Sequence, residues 1–451
     1  MKLLLKKFND KYVALKRSWS PQQNLFYGFL TYIIAGTVLL SMPWLQKQSV
    51  PLLDNLFIAT SAVSTTGLVT VSIFDSYTTI GQLVILVLFQ LGGIGYLTFT
   101  TFMLLSTTRK ITPWHKSILS SEFTLPVTIR ISDFLKSVIR YTVLMEVIGT
   151  VLFFIAFRAN GMTTADALWN SIFHSISAFC TAGFSLFNSG FTEYVDNGLI
   201  NFTISMLAIC GSLGFIVITD IGLWIKKRKH QLSFTTKIVT VGSVLLLLFG
   251  YIFFYFLEPT VSTLSGSARI SAAFFQSMTA MTTVGFNTVD FGMFILPMLL
   301  VTTFLMYIGA SPSGTAGGMK ITTLTAVFAI MKSRIRGDKN ITFLGRRIPY
   351  ERLYIATSSF IFYTSIIAFG SFILSFSESF NFENILFEVA SALGTVGLST
   401  GITAGLSVIG KITIIVLMFI GRLGVLTFGL AIWSKHISDK ERQVLKEDLA
   451  V

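Results

Sequence analysis

The chain carries little charge for its length. Only 12% of its 451 residues are charged and 53% are hydrophobic, whereas soluble domains usually carry about 25% charged residues. Apolar runs recur along the sequence, for example at 25–45 and 80–99, and runs of about 20 residues are long enough to cross a hydrocarbon core of roughly 30 Å. These features predict a polytopic integral membrane protein.

Cysteine, clustered histidine and paired catalytic groups are also scarce. The two cysteines, Cys180 and Cys210, lie in apolar sequence, and the four histidines are scattered. A disulfide framework or a metal cage needs clustered ligands, so we expect neither. The sequence has no glycine-rich phosphate loop after a strand and no Asp pair, Ser–Lys pair or His cluster in its apolar segments. We therefore expect no cofactor bound by this chain and no enzyme activity.

The net charge of +13 is concentrated in particular segments. If the loops lie alternately inside and outside, 28 of the 34 Lys and Arg residues fall inside. This is the positive-inside pattern of membrane proteins, which argues against nucleic-acid binding and predicts that both termini are cytoplasmic. The first 20 residues do not follow the pattern of a signal peptide. The four outside residues are Lys47, Arg158, Arg269 and Lys411, and the remaining two, Arg140 and Arg422, lie in hydrophobic segments.

One short pattern occurs four times along the chain. The segments SAVSTTGL, SAFCTAGF, TAMTTVGF and SALGTVGL begin at residues 61, 177, 279 and 391. They share [Ser/Thr]-Ala-x-x-Thr-x-Gly-[Leu/Phe], and their glycines are spaced by 116, 102 and 112 residues. Self-similarity of this kind indicates repeated structural units.

The four copies also have the same surroundings. A long apolar helix and a stretch too short to span a bilayer precede each copy, and a second long apolar segment follows. Three of these second segments contain related sequences: GGIGYLTF (92–99) matches GRLGVLTF (421–428), and GSLGFIVI (211–218) is a weaker copy. We predict an all-α membrane protein of four helix–pore loop–helix repeats, with eight transmembrane helices around a central pore in a potassium-channel-like, pseudo-fourfold arrangement.

The predicted boundaries follow from this unit. The repeats occupy 21–108, 130–226, 235–335 and 350–434, between cytoplasmic segments 1–20 and 435–451. First helices are expected near 22–43, 136–157, 236–257 and 351–376. Short helices are expected near 52–64, 164–180, 268–281 and 383–394. Second helices are expected near 79–107, 200–225, 293–331 and 407–434.

The repeated loops have the chemistry of a cation site. Irregular backbone at membrane depth must be buried in protein or line water, and short helices ending at one axis would point their negative dipole ends toward it. Potassium filters use rings of backbone carbonyls in this way. None of the four loops contains the Asp or Glu that a divalent site would favour, so we expect a monovalent cation.

With these motifs in register over essentially residues 20–434, the chain resembles the superfamily of Trk, Ktr and plant HKT potassium transporters, and it looks most like the membrane subunit of a bacterial Ktr potassium-uptake system. The resemblance implies K+ as the transported ion, held by backbone carbonyls of a filter. Thr66 is more polar than its three counterparts, and there we expect tuned selectivity. The implied filter residues are Thr65, Thr66, Gly67, Thr181, Ala182, Gly183, Thr283, Val284, Gly285, Thr395, Val396 and Gly397.

The third repeat departs from the other three. Its second helix contains GASPSGTAGGMK (309–320), although each Gly costs a helix roughly 1 kcal/mol and Pro about 3. A kink or small-residue packing is one interpretation, and an unwound gate is the other. The resemblance implies an intramembrane gate loop at 309–318. The candidate gate residues are Gly309, Ser311, Pro312, Ser313, Gly314, Thr315, Gly317 and Gly318, together with Arg422.

Several charged residues lie in or near apolar segments. Arg422 is a functional hypothesis by default, with pairing to a buried acid or to helix-end carbonyls as the structural alternative; the resemblance implies that it faces the gate loop below the filter. We interpret Lys320 mainly as a snorkelling side chain. Glu146 and Asp220 are candidate buried partners rather than a proton relay.

The remaining acids lie mostly on the predicted outside. Asp54, Asp166 and Glu383 are near the starts of short helices, which favours capping and dipole matching. The outside loops hold ten acids against four Lys or Arg. Such a balance predicts a negative vestibule that concentrates cations.

The resemblance also implies an assembly. We expect a homodimer in the lipid of a bacterial cell membrane, docked on a cytosolic ring of RCK-type subunits that bind the regulatory nucleotide. Residues 332–347 are the candidate contact surface, although inside-positive charge explains them equally well. The alternative function is a sodium- or proton-coupled potassium symporter, for which no second ion site is clearly encoded.

Overall fold

A computed structural model describes residues 19–95, 131–226, 231–309 and 311–433. Within these ranges the regular structure is helical apart from two pairs of two-residue strands. The predicted tail 435–451, most of the predicted N-terminal segment 1–20 and the basic loop at 109–130 lie outside the described residues. The four predicted repeats are called units 1 to 4 below.

The four first helices lie where the sequence predicts them. They span Pro21–Leu40, Ile131–Ala159, Phe234–Leu257 and Tyr350–Ser377. Each contains a stretch that is long and apolar enough to cross a membrane. Large apolar side chains such as Val38, Leu245 and Phe372 are exposed on them, as expected for helices that face lipid.

The four short helices also match the prediction. They span Leu52–Val63, Thr164–Phe179, Gly266–Thr282 and Phe382–Gly394, which is too short to cross a bilayer. Thr163 caps the second of them by accepting from the Asp166 N–H at 3.2 Å and donating to its carboxylate at 2.7 Å. Asp54 lies in the first turn of its short helix, as dipole matching predicts, and its carboxylate also pairs with Lys411 of unit 4 at 2.6 Å.

The second helices correct the prediction of four continuous spans. Helices Gly198–Ser212 and Phe215–Lys226 meet at 96°, and helices Val408–Leu423 and Val425–Trp433 meet at 98°. In unit 1 the helix Thr79–Ile94 ends at Gly95, and the predicted continuation to 107 lies outside the described residues. In unit 3 an irregular segment separates Leu296–Tyr307 from Ile321–Arg336.

A glycine pair lies at the bends in units 2 and 4 and at the end of the described second helix in unit 1. The second glycine of each Gly-x-x-Gly has a positive φ, from +83° to +87°, which glycine adopts without the usual penalty. A methyl group on the first glycine would collide with a carbonyl oxygen near the end of the short helix of the same unit. The second helix therefore crosses the end of the short helix in direct backbone contact. The glycine pairs are Gly92 and Gly95, Gly211 and Gly214, and Gly421 and Gly424.

The units form a closed ring, because the second helix of each packs on the short helix of the next. Trp169 Nε1 donates to Gln82 between units 2 and 1 at 2.8 Å, and Asn201 donates to Ser271 between units 2 and 3 at 3.1 Å. The ion pair of Lys411 with Asp54 joins unit 4 to unit 1. Units at opposite ends of the sequence are thus neighbours in space.

Smaller elements connect these helices. Strand β1 (Ile308–Gly309) pairs in parallel with β2 (Met319–Lys320), and β3 (Thr342–Phe343) forms a hairpin with β4 (Arg346–Arg347). The short helical turns are Pro43–Leu45, Ile73–Ser76, Thr192–Tyr194, Pro259–Ser262, Phe291–Met293 and Thr403–Gly405.

Candidate functional site

The four motif loops share one backbone conformation. Each motif threonine has a φ between +48° and +54°, and each motif glycine has a φ between +69° and +93°. Left-handed backbone costs a non-glycine residue about 1–2 kcal/mol, so surrounding contacts must hold the threonines in place. These are Thr65, Thr181, Thr283 and Thr395, with Gly67, Gly183, Gly285 and Gly397 two positions later.

The first residue of the motif supplies this hold through its carbonyl group. In every unit its oxygen accepts from the N–H of the residue before the glycine, at 2.8–3.2 Å. The bonds are Thr66 N to Ser61 O, Ala182 N to Ser177 O, Val284 N to Thr279 O and Val396 N to Ser391 O. The end of each short helix is thereby tied to its loop.

The hydroxyl group of the same residue adds a second bond, which differs between units. In units 1 and 4 it accepts from the N–H of the motif glycine, at 3.0 and 3.1 Å. In units 2 and 3 it donates to the carbonyl of the residue after the glycine, at 2.8 and 2.6 Å. Ser and Thr are suited to both roles because a hydroxyl donates and accepts, which explains the shared Ser/Thr column.

The four loops meet in a closed ring. A methyl group on Gly67 would lie 2.6 Å from the carbonyl oxygen of Ala182, and one on Gly183 would lie 2.8 Å from that of Val284. A methyl on Gly285 would collide with the carbonyl of Val396, and one on Gly397 with that of Thr66. Each glycine thus contacts the middle residue of the next loop, and no side chain fits between neighbours.

A cavity of about 440 Å³ opens on the glycine end of this ring. All four motif glycines line it, together with residues of the segments that follow them. Among the ten acids that the sequence assigns to the outside, only Asp75 lines this cavity, whereas Glu258 and Glu388 are fully buried. One carboxylate therefore lies at this cavity, and the wider negative vestibule stays a prediction.

Thr66 is the middle residue of the first loop. Its hydroxyl lies 2.6 Å from that of Ser64, and both side chains are buried. The extra hydroxyl of this loop is therefore engaged within the loop itself. The counterparts of Thr66 are Ala182, Val284 and Val396, which offer no such bond.

The predicted gate segment contacts the threonine end of the ring. Pairing of β1 with β2 brings Gly309 beside Lys320 and so closes the loop at its base. The Gly317 N–H donates to Thr283 Oγ1 at 3.0 Å. The N–H groups of Ser311 and Thr315 donate to carbonyls of Ser212 and Gly211 in unit 2, at 3.2 and 3.1 Å.

Of the remaining gate candidates, Pro312, Ser313, Gly314 and Gly318 lie within the same loop, and Ser313 has a left-handed φ of +64°.

Arg422 links this loop to unit 1. Its guanidinium donates to the Thr315 carbonyl at 2.6 Å, to the Gly93 carbonyl at 3.2 Å and to the Gly92 carbonyl. The bond to Thr315 is the gate-segment contact that the resemblance implied. The bonds to Gly92 and Gly93 are the helix-end contacts of the structural alternative, so Arg422 makes both kinds of contact.

Lys320 is not a snorkelling side chain, contrary to our interpretation of the sequence. Its Nζ donates to the carbonyls of Ala316 and Gly317, at 2.7 and 3.1 Å, so it binds the gate segment from within. A cavity of about 260 Å³ lies on this side of the loop. Its lining includes Gln22, Ser313, Gly317, Lys320, Arg422 and Thr427.

The other charged candidates have local partners. Glu146 accepts from Gln90 Nε2 and Asp220 accepts from the Ser233 N–H, each at 2.8 Å. Within the described residues, no group of three or more His, Cys, Asp or Glu side chains could hold a metal ion. The oxygen atoms at the ring come from backbone and hydroxyl groups, which suit a cation of low charge.

Sequence comparison of the four copies misses three buried side chains beside the loops. His174, Gln276 and Glu388 occupy the same register in units 2, 3 and 4, three positions before the motif begins. Their residue types differ, so a pattern of shared letters does not include them. Their shared signal is a larger polar side chain at this register of the short helix, where unit 1 has Ile58.

The fold and the ring define the class of the molecule: a multi-pass membrane protein in which four related units bring irregular backbone to one centre. Residues 14–443 match the family described as TrkH, cation transport protein, and the chain belongs to this family. Ktr system potassium uptake protein B of Bacillus subtilis is 34% identical over 93% of this chain and 94% of its own length.

Two further comparisons agree with this assignment. Potassium/sodium uptake protein NtpJ of Enterococcus hirae is 33% identical over 92% of this chain and 93% of its own length. The crystal structure of the potassium transporter TrkH from Vibrio parahaemolyticus has a TM-score of 0.69 at 22% identity, covering 90% of this chain and 84% of that one. At this identity the structural likeness concerns the fold alone.

Proposed function

We propose that this chain is the channel-like membrane subunit of a potassium-uptake system. Potassium sheds its hydration water and passes between the four Thr-x-Gly loops, down its electrochemical gradient. The observation that carries the proposal is the closed ring of motif glycines with a cavity on one side and the gate segment on the other. Relatives named as potassium uptake proteins support the choice of ion.

The loop backbone suits this role. A positive φ at the threonine and again at the glycine, with the residue between them outside that region, reverses successive peptide planes, so their carbonyls can point to one side. Rings of such carbonyls replace the hydration shell of potassium. The short helices direct the negative ends of their dipoles to the same place. K+ is bound by backbone carbonyls in this proposal, and the chain itself needs no cofactor.

Residues 309–318 act as the gate in this proposal. The segment lies against Thr283 at the ring and is held by Arg422 and Lys320. The positively charged side chains of Arg422 and Lys320 lie below the filter, where they repel potassium and bind the loop carbonyls. Movement of the loop away from Arg422 would open the path to the inner cavity.

The proposed assembly is a homodimer in a bacterial cell membrane, with eight spanning helices per chain and both termini in the cytoplasm. A cytosolic ring of RCK-type nucleotide-binding subunits would dock on residues 332–347. Arg334, Arg336, Lys339 and both arginines of β4 are exposed there, and the relatives are named as parts of a Ktr system. A partner that binds nucleotide would supply the gating signal.

A sodium- or proton-coupled potassium symporter is the second candidate. One relative is named a potassium/sodium uptake protein, and the buried Glu146 is a titratable group within the first helix of unit 2. Coupling would require a second ion to move with potassium.

Rubidium uptake into liposomes containing the purified protein tests the proposal. With equal pH on both sides and no sodium, a rubidium gradient alone should drive uptake that added potassium inhibits. Absence of uptake under all conditions contradicts potassium transport by this chain. Uptake that appears only with a sodium or proton gradient supports the symporter instead.

A further inference from the structure

The short helices of units 2, 3 and 4 carry a buried polar side chain at one equivalent position. His174, Gln276 and Glu388 each lie three residues before the motif and are fully buried. Burying a polar group without partners is unfavourable, so each must find a bond inside the protein. All three find it in the segment that follows the motif glycine.

Glu388 binds this segment through both carboxylate oxygens. Ser399 Oγ donates to Oε2 at 2.8 Å, and Thr403 Oγ1 donates to Oε1. Ser399 is the second residue after Gly397 and lines the outer cavity. Glu388 thus connects the short helix to the outer end of the fourth loop.

His174 and Gln276 make the corresponding connection with other chemistry. His174 Nδ1 lies 2.8 Å from the Asn170 carbonyl, which can only accept, so Nδ1 carries the proton and Nε2 accepts from the Leu186 N–H at 3.2 Å. Gln276, with its amide oxygen toward the loop, accepts from the Thr288 and Val289 N–H groups at 3.2 and 3.0 Å. Leu186 and Thr288 are both the third residue after their motif glycine.

Unit 1 lacks the polar side chain at this position. Ile58 occupies it, and the hydroxyl of Thr70, the third residue after Gly67, is buried without a hydrogen-bond partner. Instead, the hydroxyl of Thr66 is bonded to Ser64. The one loop without a side-chain bond from this position of the short helix is the loop that has a hydroxyl pair of its own.

We propose that Glu388, Gln276 and His174 are positioning residues that anchor three filter loops to the short helices and thereby set ion selectivity. The inference rests on the proposed function. A smaller ion such as sodium needs closer oxygen ligands than potassium, so it requires the loops to move inward. Every loop is tied to its short helix by the first motif residue, and a loop with this additional anchor resists inward movement more than a loop without it.

Transport selectivity in liposomes tests this inference. Glu388→Leu removes both bonds and should raise sodium flux relative to rubidium flux about tenfold, since each 1.4 kcal/mol is a factor of ten. Glu388→Gln can still bond Ser399 and Thr403 and should stay near the wild-type ratio. Equal loss in both variants would overturn the inference, because it would indicate a need for charge rather than for an anchor.

Unit 1 offers the converse experiment. Ile58→Gln should place an amide next to the Thr70 hydroxyl, as Gln276 is placed beside Thr288, and should lower the sodium-to-rubidium ratio. Ser277→Ala is the matched control, because Ser277 is adjacent to Gln276 but donates to the Leu247 carbonyl behind the helix; its ratio should not change.

The outcomes separate the two proposals. If wild-type protein passes no rubidium, the proposed function is wrong. If wild type conducts and Glu388→Leu keeps its selectivity, only the anchoring role is wrong. If Glu388→Leu fails to fold, as judged by its elution profile, the comparison of Glu388→Gln and Ile58→Gln with wild type decides, and an unchanged ratio in Ile58→Gln overturns the inference.

Discussion

At the scale of single residues, the motif glycines and threonines are constrained for different reasons. Each glycine faces a carbonyl of the neighbouring loop, which leaves no space for a side chain. The alignment of the four copies already shows this restriction, because all four carry glycine there. Each threonine is held in left-handed backbone by bonds from the first motif residue. The sequence could therefore predict which residues form the loops. It could not predict that the Thr66 hydroxyl turns to Ser64, because that depends on a rotamer.

Replacement of a motif glycine should abolish conduction through a steric clash. Gly397→Ala places a methyl group against the Thr66 carbonyl, and we expect rubidium uptake in liposomes to be lost. Gly401→Ala is the control, because Gly401 has nearly the same φ, +94° against +91°, but no atom within 4 Å of the added methyl. Both variants carry backbone strain of about 1–2 kcal/mol. Similar losses in both would attribute the effect to strain rather than to the ring.

Removal of the guanidinium below the ring should open the gate. Arg422→Ala deletes its hydrogen bonds to the Thr315 and Gly93 carbonyls, and bonds from a charged donor are worth about 1.5–3 kcal/mol each. We expect basal rubidium flux to rise at least about tenfold. Arg422→Lys keeps the charge with fewer donors and should give an intermediate rate. Wild-type flux in Arg422→Ala would contradict a gating role.

At the scale of elements, the helices differ in how far sequence determines them. The first and short helices were predictable because their ends coincide with caps, loops and the limits of apolar runs. The bends of the second helices were not, because an isolated Gly costs a helix only about 1 kcal/mol and the apolar pattern continues through it. The bend arises where the helix crosses the short helix of its unit, as at Gly211 against Phe179. Because the two residues are far apart in the chain, the local sequence around the glycine gives no sign of this contact.

The irregular gate segment of unit 3 should depend on the side chain of Lys320. Lys320→Met keeps an apolar side chain but removes the bonds to the Ala316 and Gly317 carbonyls. We expect a looser segment and higher basal rubidium flux, in the same direction as Arg422→Ala. Lys237→Met, at an exposed position in the first helix of the same unit, is the control and should transport at the wild-type rate. Reduced or unchanged flux in Lys320→Met would show that the lysine does not hold the gate closed.

At the scale of the whole molecule, four units produce one ring only if the last unit meets the first. Units 1 and 2 are joined by the chain, as are units 2 and 3 and units 3 and 4, so their contacts are made at high effective concentration. Units 4 and 1 are separated by most of the sequence and are linked by helix packing and by the ion pair of Lys411 with Asp54. The repeat pattern could predict a ring of four units. It could not predict that Lys411 pairs with Asp54, because that pairing depends on which units are neighbours around the ring.

The stability of the ring should depend on this ion pair more than on contacts between consecutive units. The side chains of Lys411 and Asp54 are only 17% and 9% exposed, so water screens them weakly, and Lys411→Met should cost about 2 kcal/mol of stability. Thermal unfolding in detergent would detect this as a lower midpoint, with a double variant Lys411→Met and Asp54→Asn losing less than the sum of the single changes. Ser271→Ala, which removes one bond between units 2 and 3, is the control. If it lowers the midpoint as much as Lys411→Met does, the contact between units 4 and 1 has no special part in holding the ring closed.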